Sequence, residues 1–487
     1  MIRFGSFQID PRTWLLTQQG QPVDLSPRLV EILGYIVARD GEIVTKDELL
    51  ERFWPDVHVS ENTLARAIAD IRKAIKDEAA EPKYLQTAAR RGYRYAGRQG
   101  AQGAQGAQGA QGADPFEEWV KGRLALDSLD ASKLNDAVRA FERTVSELPR
   151  YAPAHAGLAN AYLLQYEKTR SGSTPDRALL ERAMSAAQQA SSLDPALGEG
   201  WAVLGYVLCA AGKVSEGQAA ARRATALEPD NWRHHYRLAY SAWGEERLRA
   251  VDRTLALMPG FAPARMLACM VFVARGTLYR AEREAASGAD AQRQHHLHHS
   301  PLPAVGNHWL LGIIRASTGR LDQALTCFDE EIAEAARGHV YGAEFAVNAH
   351  VATGFTKLSQ QNVEAAAAAF RRAVNGSPGH PKASVGEYAV ARRSNDAQAI
   401  DSARLSVEHA IEALRRGDRH VEAALVSAGM KIVDGDTAAA LADLDRMLDT
   451  SLAGPAGWII PVDPMLAPIR EAPGIQAVLS RLAARAA

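Results

Sequence analysis

Leu64, Ile68, Ile71 and Ile75 recur at i, i+4, i+7 and i+11, the spacing of one helical face. The pattern predicts a helix over residues 60–77, opened by Ser60, whose hydroxyl can accept from free amides of the first turn. At about 100° per residue the opposite face carries Asn62, Arg66, Ala69 and Lys73, with Thr63 beside Asn62. Asp70, Lys76 and Asp77 flank that stripe, and Arg72 sits nearer its apolar edge. The period then switches. Lys83–Ala88 and Tyr93–Gly97 read as strands of a hairpin whose turn holds Arg90, Arg91 and Gly92. Upstream, Ile2–Phe4, Phe7–Ile9, Trp14–Thr17 and Val23–Leu25 read as short strands. Two further helices start at Ser26–Pro27, with proline in its favoured first position, and at Thr45-Lys-Asp-Glu48, a capping box.

The polar face of the 60–77 helix has chemistry suited to a duplex. Arg66 can give a bidentate contact to guanine and Asn62 to adenine, while Lys73, Lys76 and Arg72 suit phosphates. A solvated face of an ordinary amphipathic helix explains the stripe alone equally well. The basic hairpin beside it shifts the balance, because an extended basic finger is a groove or phosphate probe, with Arg90, Arg91 and Arg94 as its contacts. Charge is polarised in the same sense. Residues 66–98 hold nine Lys+Arg against four Asp+Glu, whereas residues 1–65 hold six against ten.

This order of elements, closed by Gly92-Tyr93-Arg94, resembles the winged-helix effector domain of OmpR-type response regulators across the first 97 residues. The resemblance implies a small N-terminal sheet, three helices and a wing. It also implies that the segment Trp54-Pro55-Asp56-Val57-His58-Val59 stands where family members can touch RNA polymerase. Many members carry further basic residues where this chain has Ala69 and Asp70. Asp70 repels phosphate but can accept from a cytosine amino group, so the target site is not transferable from a relative. No receiver domain is expected in front of the winged helix, which excludes control by an aspartyl phosphate on that route.

Residues 101–112 are AlaGlnGly four times over, a composition that builds no core. About 16 such residues span roughly 20–24 Å as a tether. Beyond Asp114 the chain turns Ala-, Leu- and Arg-rich and repeats itself. Pro195 and Pro229 stand 34 residues apart in aligned segments, and one unit shows Trp201, Leu204, Gly205, Leu208, Gly212, Ala221, Ala224 and Pro229. That spacing is the tetratricopeptide pattern, in which small residues let paired helices approach closely. Weaker units hold Leu311, Gly312, Gly319, Ala324 and Phe328; then Gly354, Ala366, Phe370, Ala373 and Pro378; and, early on, Ala137, Phe141 and Pro149. Seven to nine helical pairs are expected, with residues from Pro461 onwards as a terminal cap. The expected architecture is multidomain: an α+β winged helix-turn-helix over 1–98, a linker over 99–113, and an all-α tetratricopeptide solenoid over 114–487.

Composition narrows the function. A net charge of −1 gives no bulk attraction to nucleic acid, so only local polarity counts. Three dispersed cysteines, Cys209, Cys269 and Cys327, form no CxxC and suit a reducing cytosol. There is no secretory leader and no apolar run near the ~20 residues a membrane helix needs, so a cytoplasmic protein without membrane attachment is expected. His295, His296, His298 and His299, with His308 nearby, suggest metal, but no Cys or acid accompanies them and a solvated segment is the simpler account. His234–His235 fit either packing or ligand contact. Acidic pairs such as Glu330–Glu331 read as helix surface. No phosphate loop, nucleophile elbow or HExxH occurs, so neither enzyme activity nor a cofactor is expected. The reading that follows is a one-component transcriptional regulator that binds promoter DNA, with a repeat groove for a protein, peptide or small-molecule partner. It resembles the invasion-type regulators that pair the same modules without a membrane span. The alternative is a repeat scaffold whose winged helix docks protein.

Overall fold

A computed structural model describes the chain apart from residues 1, 11–14, 20, 24, 26, 40, 54–60, 79–81, 89–90, 97–114, 170–174, 299–302, 395 and 453. The described residues separate into two compact units. One comprises residues 1–128, 139–149 and 295–302, the other residues 129–138, 150–294 and 303–487. The linker expected over residues 99–113 lies outside the described residues.

In the first unit, β1 (Ile2–Phe4), β2 (Phe7–Asp10), β3 (Leu15–Gln18) and β4 (Gln21–Pro22) form an antiparallel meander in sequence order. Alternation decides which side faces in: Ile2, Phe4, Phe7, Ile9 and Leu16 are buried. The last strand ends before Val23, whose amide donates to Leu16 O at 2.8 Å, so the strand expected at 23–25 stands two residues earlier. The helices α1 (Pro27–Ala38), α2 (Lys46–Phe53) and α3 (Glu61–Ile75) follow, with β5 (Val44–Thr45) between the first two. A second sheet pairs β5 with β7 (Gly92–Tyr95) and β7 with β6 (Leu85–Ala88). The sequence pattern did not reveal β5, which is only two residues long. Gly92 is required where β5 meets β7, because a Cβ there would stand 1.9 Å from Val44 O. Tyr84 and Tyr95 set ring edges against Phe4, joining the two sheets through one apolar core.

Helical hairpins fill the rest: α4 (Pro115–Asp127), α5 (Leu134–Glu147), α6 (Ala152–Thr169), α7 (Arg177–Leu193), α8 (Gly198–Ala210), α9 (Val214–Leu227), α10 (Trp232–Ser241), α11 (Gly244–Leu257), α12 (Ala262–Ala274), α13 (Leu278–His298), α14 (Asn307–Ser317), α15 (Leu321–Ala335), α16 (Gly342–Ser359), α17 (Val363–Gly376), α18 (Pro381–Ala391), α19 (Ala397–Arg416), α20 (His420–Asp434), α21 (Thr437–Thr450) and α22 (Ile475–Arg485). From α6 to α21 eight pairs precede α22 among the described residues, within the expected range. The pairing is of tetratricopeptide type. Two close approaches are made by a missing side chain: a Cβ on Gly312 of α14 would lie 2.3 Å from the Phe328 ring of α15, and one on Gly354 of α16 would lie 2.4 Å from Phe370 of α17. Proline stands just beyond α7 and α9, at Pro195 and Pro229, where no further helical amide is available. Val120 of α4 packs on the core of the N-terminal sheets and helices, so the first helix after the linker belongs with them.

Within the second unit the chain meets itself far along its length. Val340 N donates to Leu129 O at 2.7 Å, and Ala131 N to Gly338 O at 2.9 Å. Arg177 Nη2 donates to Gly417 O at 2.6 Å. Successive hairpins thus return the early repeats to the late ones. The C-terminal segment does more than shield the last repeat. A short 3₁₀ turn, Pro464–Ile469, packs on α14, α16 and α20, and α22 packs on α12 and α21. It lies along the face made by the hairpins' first helices. Gly429 of α20 leaves the space that Met465 fills, since a Cβ there would stand 2.6 Å from its Sδ.

Several polar residues of this unit prove structural. Glu331 is fully buried, not on a helix surface, and accepts from Gly306 N at 2.7 Å and Trp309 N at 3.1 Å, capping the start of α14. Burial raises its carboxyl above the usual range against those bonds. His308, also buried, pairs through Nδ1 with Glu330 Oε2 at 2.8 Å. His234 is buried against Glu228 Oε2 at 2.9 Å, and the Nε2 of His235 meets Pro229 O at 2.8 Å. His295, His296 and His298 lie in α13 with their side chains outside the described residues, as is all of His299. The described residues hold no group of three or more potential metal ligands, and all three cysteines are free thiols. Among the described residues no helix is long and apolar enough to cross a membrane.

Candidate nucleic-acid interface

The stripe of α3 is buried as its period demands: Leu64, Ile68, Ile71 and Ile75 are each at most 1% exposed. Ala67 joins them, its small side chain letting the helix sit close to the core. The opposite face carries Arg66, Ala69, Asp70 and Lys73, all exposed. Asn62 and Thr63 lie in the first turn of α3, their side chains outside the described residues, as is the whole of Arg90 and the segment 54–60.

The helix is shorter than its sequence pattern. It ends at Ile75, and Lys76 takes a left-handed conformation with φ of 51°. Asp77 N then donates to Arg72 O at 2.9 Å and Lys76 N to Lys73 O at 3.4 Å, the bond pair of a Schellman cap. Glycine is the usual residue at this position, so a lysine here bears a steric cost.

The reversal carries Asp77 inward. It is 5% exposed and does not flank the basic face. Its Oδ1 accepts from Lys83 N at 2.6 Å and its Oδ2 from Leu85 N at 2.7 Å, with Tyr84 N shared between them at 3.2 Å. One carboxylate thus holds the start of β6 to the end of α3. Arg72 ties the same two elements, its Nη2 donating to Leu85 O at 2.7 Å and Thr87 Oγ1 at 2.9 Å. Its guanidinium is half-buried and committed to the wing. Sequence reasoning missed Asp77, although a signal existed: an acid at a helix C-terminus opposes the macrodipole and needs other donors.

The wing itself presents Arg91, exposed in the turn, whose amide closes the hairpin on Ala88 O at 2.9 Å. Its carbonyl receives Lys46 N at 3.2 Å, pinning the turn to the start of α2. Arg94 stands opposite Gln86 across the strands and donates to its Oε1 at 2.6 Å, which aims it along the outer sheet face. At α2, Thr45 Oγ1 accepts from Glu48 N at 3.1 Å, and among the described residues no bond returns from the Glu48 carboxylate to Thr45 N. The Glu48 carboxylate instead takes bonds from Tyr35 and Arg39, and Arg52 covers the Tyr35 ring at 4.5 Å. Burial, chiefly, raises the Tyr35 phenol above its ordinary value.

A recessed helix-turn-helix core, an exposed polar face on its third helix and a pinned basic hairpin are now in place. Residues 20–95 match the family model described as Transcriptional regulatory protein, C terminal. The N-terminal domain is an OmpR-type winged helix. Its relatives include the transcriptional activator CadC of Escherichia coli strain K12, 28% identical over 95 residues, or 19% of this chain and 19% of that one. The transcriptional regulator HilA of Salmonella typhimurium strain LT2 is 31% identical over 80 residues, 16% of this chain and 14% of that one. Each match thus spans less than a fifth of the relative's length. Among solved structures, the DNA-binding domain of Klebsiella pneumoniae RstA in complex with the RstA box is 31% identical, covering 20% of this chain and 95% of that one at a TM-score of 0.18. In this winged helix α3 is the third helix and β6–β7 form the wing.

Proposed function

We propose that this protein is a sequence-specific DNA-binding transcriptional regulator whose repeat region responds to a partner. The observation that carries the reading is the exposed Arg66–Ala69–Asp70–Lys73 face on a helix whose Leu64–Ile68–Ile71–Ile75 face is buried, within a winged helix of a regulator family. In the major groove Arg66, with Asn62 and Thr63 from the first turn, faces base edges, and Ala69 leaves room for a thymine methyl group. Asp70 disfavours phosphate and favours a cytosine amino group, a bias against the sites of more basic relatives. Lys73, Lys76 and Arg91 meet backbone phosphates, with Arg90 and Arg94 serving the wing's groove contact. Arg72 acts differently from them, as a positioning residue that sets the wing against α3. RNA polymerase contact through residues 54–59 and control through a protein, peptide or small-molecule partner complete the proposal. The partner's surface must lie outside the stretch of first helices already covered by the C-terminal segment, or displace it.

Genome-wide capture of bound DNA by the full chain, followed by gel shifts on the recovered fragments, tests this. Arg66→Ala is expected to lose about 1–3 kcal/mol of discrimination at one base pair. Lys73→Ala is expected to weaken all sequences alike and reduce the salt slope by about one. Failure to enrich any promoter fragment, with both variants indistinguishable from the parent, would overturn the reading in favour of protein docking.

A further inference from the structure

The C-terminal segment does not close completely on the repeats. A cavity of about 440 Å3 remains where it crosses the α12–α13 turn and the end of α14. That size lies within the range of small-molecule sites. Its walls are aliphatic, from Leu278 on α13 and Ile460, Leu466, Ile469 and Leu479 on the C-terminal segment, and no aromatic ring lines it. Its polar groups are few: Arg275, Ser317, Arg470, Gln476 and Ser480.

The two arginines differ in state. Arg275 is satisfied, with Nη2 at 2.8 Å from Glu245 and Nε donating to Ala486 O at 2.7 Å. Arg470 is not. Its Nη2 donates to Asp463 O at 2.9 Å, but its Nε is buried with no partner, and no carboxylate pairs with it among the described residues. The nearby Asp463 carboxylate is engaged elsewhere, by Lys382 Nζ at 2.6 Å and Met465 N at 3.0 Å. Burial depresses the Arg470 guanidinium below its ordinary value, with Asp463 opposing the shift. Arg470 nevertheless lines the cavity with no carboxylate bonded to it and only the through-space charge of Asp463 opposing it, so an anion in the cavity would complete its pairing.

We propose that this cavity binds an aliphatic carboxylate, its head on Arg470 with Ser480 and Gln476 at hand, its chain along the Leu278–Leu479 walls. Guanidinium matches carboxylate geometry through paired N–H donors, and the absence of rings favours a flexible chain over a planar one. Ten of the fifteen lining residues come from residues 460–483, so a bound acid joins that segment to the repeats and holds it in place. Only the regulatory consequence rests on the sensing role given above to the repeat region; the binding needs no DNA.

The test is calorimetric titration of the full chain with sodium octanoate, with 1-octanol and sodium acetate as matched probes lacking the charge or the chain. Octanoate is expected to bind one-to-one and to slow hydrogen exchange in residues 459–486. Octanol and acetate are each expected to bind at least about tenfold more weakly. Arg470→Gln should weaken octanoate at least about tenfold while leaving octanol unchanged. Ala483→Phe, which fills the cavity from its rim, should weaken both and keeps the test valid if the first variant fails to fold. No saturable binding up to about 10 mM octanoate, octanol binding as tightly as octanoate, or an unchanged affinity in Ala483→Phe would each overturn the proposal.

Discussion

Asp77→Ala isolates the device that fixes the wing. The parent carboxylate receives three consecutive amides, from Lys83, Tyr84 and Leu85. Truncation releases all three, but unequally. Lys83 is exposed, so its amide regains water and loses little. The Leu85 bond is buried, and its orphaned donor carries a charge-assisted loss of roughly 2–3 kcal/mol. Adding a fraction for Tyr84 gives a local cost of about 3 kcal/mol. The wing can open without global unfolding, so the cost should appear as faster local opening. At 1.36 kcal/mol per decade it corresponds to roughly a hundredfold faster amide exchange in residues 83–88. Hydrogen-exchange mass spectrometry on the full chain reads this directly, with the α3 peptide 64–71 as internal reference. Asp77→Asn keeps one acceptor and should fall near tenfold. Wing exchange within about threefold of the parent in Asp77→Ala would refute the account and leave Arg72 as the main tie.

Four further outcomes follow from the geometry. Lys76→Gly removes a left-handed lysine and should stabilise the end of α3 by about 1 kcal/mol, slowing exchange over 77–85 while lowering the salt slope of DNA binding; faster exchange would contradict the cap. Gly92→Ala drives a Cβ into Val44 O and should abolish β5–β7 pairing, read as lost wing protection and weakened DNA retention, whereas Gln86→Ala should leave protection intact. Gly429→Leu should eject Met465 and expose residues 455–487 to limited proteolysis; undiminished resistance would mean the segment is not held at α20. His380, the buried N-cap of α18 whose Nδ1 accepts from Ala383 N at 3.3 Å, has its pKa pushed down to about 4, first by burial and then by Lys382 and Arg419. The unfolded chain then binds the extra proton between pH 4 and about 6.5, so its contribution is full above about 6.5 and falls with pH at up to ~1.4 kcal/mol per unit. Urea unfolding from pH 7 to 5 should lose that slope in His380→Gln.

Much of the winged helix is legible in the chain because its signals are local. The i, i+4, i+7 stripe of α3, Pro27 at the start of α1 and the Gly92 motif all act within a few residues. What escapes is tertiary. Glu48 sits where a capping box wants it, yet Tyr35 and Arg39, distant in sequence, take its carboxylate. Asp77 reads as surface charge because nothing local announces that Lys76 will turn the chain inward. Arg72 reads as one more phosphate contact until Leu85 O and Thr87 appear beside it. The repeat pattern likewise gives hairpins and their Gly–Phe contacts, but not the path of the C-terminal segment, since an apolar tail matches many grooves. Glu331 shows the same limit, where a surface-like acid pair hides one member that caps a helix from within.

Repeat arrays ordinarily unfold piecemeal, each module leaning only on its neighbours. The bonds from Leu129 to Val340 and from Arg177 to Gly417 break that independence. Removing the last hairpins also removes partners of the second, so the array is frustrated as a source of shorter, separately stable fragments. Its unfolding should be more nearly all-or-none than its modular sequence suggests, with a single steep denaturant transition. A displacement at Gly417 is felt at Arg177 through one direct bond, without passing along every repeat between.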